Sequence, residues 1–303
     1  MNLSTVAATE TGIPGGDAWV MERARLVIYQ FLALATSKPH AKSWPRILDP
    51  DYLELVQAAV DIIRRDPRSQ PESLAPGELP LEALDFALLK SLLQNPPGAE
   101  DPQAAGGSVQ ALCEEYDRVF GLLHSKECPP YETQYCPQTF SVFRSQALGD
   151  IAGYYRAFGL EPSSESPDRH DHVSLELEFM AWLNTKTLYA MEDGDPDNES
   201  LCRDAQVSFL EQHLAWWVTA FALALRIKAD GIQDQRELGS APRSFQGAIG
   251  VFLAAFISAE RGFLGIAAPT TLVASGESSD SEGCEPTDCE SCVAGIDTTL
   301  SND

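Results

Sequence analysis

Residues 202–228, CRDAQVSFLEQHLAWWVTAFALALRIK, decide the fold class. They read as one long helix. Its most apolar part, 214–225, makes about three turns at 3.6 residues per turn and carries Thr219. That falls short of the roughly eighteen uninterrupted apolar residues that a bilayer span requires, so the segment reads as buried core. Working outward, helical spacing of apolar residues recurs on both sides. Downstream, a last helix is expected over 243–263. Upstream, helices are expected over 171–191 and 140–158, over 108–122 ahead of the paired prolines Pro129 and Pro130, and over 81–94. Two more are expected from Pro50 or Asp51 to 65, with Leu53, Val56, Val60 and Ile63 on one face, and from Asp17 to about Thr36, with Val20, Ala24, Val27, Phe31 and Leu34 in register. The acidic stretch 192–199 reads as a loop. No strand alternation is sustained and no βαβ rhythm appears. The expected fold is therefore all-α, a single multi-helix domain over 17–268 behind a flexible N-terminus at 1–16.

From about residue 272 the chain changes character. Glu277, Asp280, Glu282, Glu285, Asp288, Glu290, Asp297 and Asp303 accumulate without a Lys or Arg, and core-forming residues are scarce. Residues 269–303 are expected to form a disordered acidic tail. The tail also holds Cys284, Cys289 and Cys292. This spacing can ligate zinc or another metal but lacks a fourth local ligand, and simple tail thiols are the competing reading. The other cysteines, Cys113, Cys128, Cys136 and Cys202, are scattered. An odd total of seven in a chain of 303 residues argues against a disulfide scaffold.

Charge narrows the partners. Forty-five acidic residues against 21 basic ones give a net charge of -24, a field that repels phosphate backbones and anionic lipid and attracts a basic peptide. Nucleic acid and stable membrane insertion are not expected. The first twenty residues lack the positive and apolar regions of a secretory signal, so a cytoplasmic location is expected. GxGxxG after a strand, GxxxxGK[ST] and GxSxG are all absent. A binding protein, not an enzyme, is the expectation, with no cofactor required.

Three segments carry the candidate chemistry. In EEYDRVFG at 114–121, Tyr116 and Phe120 share a helix face and Glu114 can pair with Arg118. In PPYETQY at 129–135, stiff prolines present Tyr131 and Tyr135 beside Glu132. That is either a peptide-docking edge or a crossover loop tied down by its tyrosines. In DRHDHVSLELEFM at 168–180, Asp168 or Asp171 can cap a helix, His172 and Glu176 lie four apart and can hydrogen-bond, and Leu175, Phe179 and Trp182 face the core. A metal-dependent enzyme using His170, His172 and Glu176 is the rival reading, although the spacing matches no established metal motif. A metal- or redox-responsive regulator using the cysteine tail is another.

Taken in order, EEYDRVFG at 114–121, PPYETQY at 129–135 and YYRAFGL at 154–160 followed by DHVSLELEFMAWL at 171–183 resemble the TorD/DmsD/NarJ family of cytoplasmic assembly chaperones for molybdenum oxidoreductases. EQHLAWWVTAF at 211–221 adds a weaker match. The resemblance covers about 20–265; the cysteine tail departs from it. It implies an all-helical fold, no catalysis, and binding to the N-terminal segment, often a twin-arginine signal, of a catalytic subunit whose cofactor is inserted before export. Carried over residue by residue, peptide binding falls on Pro130, Tyr131, Glu132, Tyr135, Asp171, His172 and Glu176, with Tyr116 and Phe120 in support. A monomer and a homodimer are equally compatible with the pattern.

Overall fold

Residues 16–39, 43–94, 105–121, 125–136, 141–161 and 168–269 are described by a computed structural model. They belong to one unit, Met1–Thr271. Residues 270–303 of the tail expected at 269–303, with Cys284, Cys289 and Cys292, lie outside the described residues, as does the N-terminal segment 1–15.

Nine α-helices occupy the described residues. They are α1 (Gly16–Thr36), α2 (Pro50–Arg65), α3 (Phe86–Gln94), α4 (Ala105–Phe120), α5 (Ser141–Ala157), α6 (Val173–Asp193), α7 (Pro196–Phe209), α8 (Ala215–Asp230) and α9 (Phe245–Leu264). Local chemistry explains their starts. Asp49 caps α2 by accepting from the Asp51 amide, with Pro50 in the first turn where its missing N–H costs nothing. Asp195 and Pro196 do the same for α7. The acidic stretch expected to be a loop therefore contains a helix start: its carboxylates fit the positive end of the α7 dipole. Residues 81–94 are also less regular than expected. A short 3-10 turn, Leu81–Ala83, precedes α3.

The core is organised around α9, whose inward residues Phe245, Ile249, Phe252, Leu253, Phe256 and Ile257 are almost fully buried. This helix is long and apolar enough to cross a membrane by length and composition, yet 78% of that window is buried in the protein. It lies along α8, while α1 packs against α6 and α2, and α6 against α7. The α8–α9 approach is close because Gly250 has no side chain: a Cβ there would come within 2.5 Å of the Ala222 carbonyl oxygen. One buried charge also joins the layers. Arg25 of α1 grips Glu260 of α9 through Nε and Nη2 (2.7–3.0 Å) and reaches Gln206 of α7 (2.7 Å). Such a pair is tolerated because each guanidinium nitrogen finds an acceptor, Nη1 reaching Glu22 as well.

The expected helix over 202–228 exists but is longer and interrupted. Residues Leu210–Leu214 form a π-helical turn between α7 and α8. The expectation that 214–225 is all core is corrected too: Trp216 is half-buried, and Ala220 and Leu223 are exposed.

Candidate functional site

Pro129 and Pro130 bring the chain out of α4 in an extended form that meets the start of α6. Tyr131 and His172 make an isolated antiparallel bridge. The Glu132 amide donates to the Asp171 carbonyl (2.9 Å), and the Val173 amide donates to the Pro130 carbonyl (2.9 Å). The second bond satisfies one of the orphan amides of the first turn of α6. The cap itself is neither Asp168 nor Asp171. It is His172, whose Nδ1 accepts from the Ser174 amide (3.2 Å) and sits 2.8 Å from its hydroxyl. The imidazole nitrogen takes the place of the usual cap oxygen.

Asp171 is fully buried and serves the junction. Its carboxylate accepts from the Thr133 amide (3.1 Å) and hydroxyl (2.7 Å) and from Arg169 Nε and Nη2 (3.0 and 2.7 Å). The same guanidinium donates to the Thr133 hydroxyl (2.6 Å) and lies 4.5 Å from the centre of the Tyr131 ring. The Tyr131 hydroxyl donates to Asp168 (3.3 Å), and its ring stands edge-on to His172 at 5.1 Å. Burial, then the Asp168 charge, pushes the Tyr131 phenol up to about 12. Thus Pro130, Tyr131, Asp171 and His172 are brought together in a largely closed knot whose exposed members are Asp168 (40%) and Arg169 (41%).

Glu132 and Glu176 form a second, deeper layer. Glu132 accepts from His213 Nδ1 (3.1 Å), and Glu176 Oε2 accepts from the Trp217 indole N–H (3.2 Å). Glu176 is fully buried, and burial first, then the neighbouring Glu132 charge, raises its pKa well above the ordinary 4.5. A proton on Glu176 Oε1, which meets no other donor, relieves the repulsion between the two carboxyls. Glu176 thus bonds Trp217, while His172 bonds Ser174. Tyr135 packs its ring 5.3 Å from Trp217.

The EEYDRVFG segment supports this assembly from behind. Tyr116 and Phe120 meet at 4.5 Å with their rings tilted by 39°, and Phe120 stacks on Phe221 of α8 at 6.4 Å. Glu114 accepts from Gln110 (2.8 Å). Glu115 reaches the start of α9 and accepts from the Gln246 amide (2.6 Å); burial raises its pKa despite those bonds. Phe179 is buried, while Leu175 and Trp182 are half-buried.

Beside the knot opens a cleft of about 430 Å³. Glu132, His213 and Cys136 line one side. Gln146, Ala147 and Asp150 of α5, Gln212 of the π turn and Trp216 at the start of α8 line the rest. The extra residue in a π turn shifts the helix register and often marks a functional place. Here it sets His213 against Glu132, with Nε2 buried and unpartnered. His213, Gln212, Trp216, Asp150, Arg169 and Thr133 were not among the expected site residues; the sequence signal for the first three is the segment at 211–221. Among the described residues no cluster of three or more His, Cys, Asp or Glu is placed to hold a metal. His170 instead packs its ring edge-on to Tyr155 at 6.0 Å.

Residues 81–223, which contain this whole site, match the family model described as nitrate reductase delta subunit. The chain is 31% identical over 156 residues to the selenate reductase assembly chaperone protein of Thauera selenatis, covering 50% of this chain and 76% of that protein. It is 28% identical over 156 residues to the chlorate reductase assembly chaperone protein of Ideonella dechloratans, again 50% and 76%. With the perchlorate reductase assembly chaperone protein of Dechloromonas aromatica (strain RCB) it shares 37% identity over 70 residues, 23% of this chain and 30% of that protein. No solved structure matches the chain.

Proposed function

The chain belongs to the TorD/DmsD/NarJ family of reductase assembly chaperones, and from that premise we propose that it is a client-specific chaperone for the catalytic subunit of a molybdenum oxidoreductase. It binds the N-terminal segment of the apo subunit, a twin-arginine signal where the client is exported, supports cofactor insertion, and delays export until insertion is complete. It acts in the cytoplasm and performs no catalysis of its own.

The observation that supports this reading best is the junction of residues 130–133 with 168–173 beside an open acidic cleft. Carboxylates pair with arginine in fixed geometry, and the net charge of -24 favours encounter with a basic segment. Asp171 and His172 are positioning residues in this account. They hold Glu132 at the cleft, and Tyr131, Tyr116, Phe120 and Tyr135 brace that arrangement.

The test is titration calorimetry with a synthetic peptide of the client's N-terminal segment. Thr133→Val with Asp171→Asn is expected to weaken binding about tenfold, or 1.4 kcal/mol, in protein whose circular dichroism still shows the native helices. Native affinity in the folded double variant contradicts the assigned site. Failure of the native chain to bind the segment contradicts the function.

A further inference from the structure

We propose that the outer face of α8, together with the cleft at its start, is a docking surface for a partner segment in which a guanidinium side chain precedes an apolar run. The inference rests on the reading that the chain binds a client segment. It adds where that segment lies and which way it runs.

Trp216, Ala220, Leu223 and Ile227 are spaced four, three and four apart, so they share one face of α8. Leu223 and Ile227 are 41% and 38% exposed, and Ala220 is exposed as well. From Trp216 to Ile227 this stripe runs about 16 Å at 1.5 Å per residue. It carries no charge. Exposed apolar residues aligned on one helix face give the apolar part of a partner segment a surface to pack on.

The stripe begins at the cleft, since Trp216 belongs to both. There the side chain of His213 is 5% exposed, its Nδ1 is held by Glu132 at 3.1 Å, and its Nε2 has no partner. In the tautomer that donates Nδ1–H to the carboxylate, Nε2 is an acceptor that nothing in the protein satisfies. The Glu132 and Asp150 carboxylates and the Gln146 and Gln212 amides add further acceptors, and the half-buried Trp216 ring offers a face on which a planar cation stacks. Acceptors, negative charge and an indole together fit an arginine. An anionic occupant is opposed by both carboxylates. A purely apolar occupant, including a second copy meeting the stripe alone, leaves His213 Nε2 buried and unsatisfied. The arginine therefore enters the cleft, and the apolar residues that follow it lie along α8 toward Ile227.

The experiment uses the full chain and a fluorescent synthetic peptide of two arginines followed by a run of leucines and alanines. A control peptide carries glutamates in place of the arginines. Anisotropy titrations compare the native chain with Leu223→Glu, Ile227→Glu and Asp150→Lys, and with Leu55→Glu, an exposed apolar position on α2. Thermal unfolding checks that each variant is folded. The first three variants are expected to weaken binding about tenfold each, Leu55→Glu to leave it unchanged, and the glutamate peptide not to bind. Binding by the native chain that none of the three variants alters overturns the surface while leaving client-segment binding intact. Equal binding of the glutamate peptide overturns the arginine assignment. A dimer that Leu223→Glu disperses, with peptide affinity unchanged, gives the stripe to a second copy and likewise overturns it. If the native chain does not bind the arginine peptide yet binds its client's own segment, this surface is wrong; if it binds neither, the client-segment reading fails with it.

Discussion

Glu176 is buried to the last oxygen, accepts the Trp217 indole proton, and shares its surroundings with Glu132. Its unfolded pKa is the ordinary 4.5 and its folded value lies well above. Below 4.5 both states hold the proton, so its contribution to stability is fully present there. As the pH rises toward the folded value only the unfolded chain releases the proton, and that contribution is lost. Glu176→Gln preserves an acceptor for Trp217 and removes the titration. The variant is expected to fold and to gain thermal stability relative to the native chain as pH rises from about 5 to about 8. A gap that shrinks over that range in thermal scans contradicts the assignment of a protonated Glu176. The identity of such residues was legible in the sequence, but their partners were not. Four-residue spacing suggested that His172 meets Glu176. The fold turns them to Ser174 and Trp217 instead, because a cap needs a local amide and a buried carboxyl takes the nearest donor, whatever its distance in sequence.

The helices were legible because apolar residues recur at helical spacing and prolines and glycines punctuate them. Positions of α1, α2, α5 and α9 agree with the sequence within a few residues. The π turn was not legible, since one extra residue in a turn leaves no compositional trace. Nor was the outward face of α8, where apolar residues are as frequent as in the core. At this scale the tightest constraint is the crossing of α8 and α9 at Gly250. Gly250→Ala drives a methyl group into the Ala222 carbonyl and the Arg226 backbone. Overpacking of this kind costs about 1–3 kcal/mol. Urea unfolding is expected to show that loss with an unchanged slope. A variant as stable as the native chain contradicts the close packing described for this pair.

Across the whole molecule, composition already pointed to an acidic helical binding protein, and three ordered segments pointed to the family. The matched residues 81–223 span α4, the proline loop, α6 and the π turn. The residues that build the site are therefore the residues that carry the resemblance. What they bind is tested most directly in cells. The tagged chain is recovered from native cells respiring anaerobically on several electron acceptors, and bound proteins are identified by mass spectrometry. The account predicts enrichment of one molybdenum-reductase catalytic subunit, lost when that subunit lacks its N-terminal segment. Recovery of no such subunit under any acceptor, or recovery that is indifferent to the N-terminal segment, contradicts it.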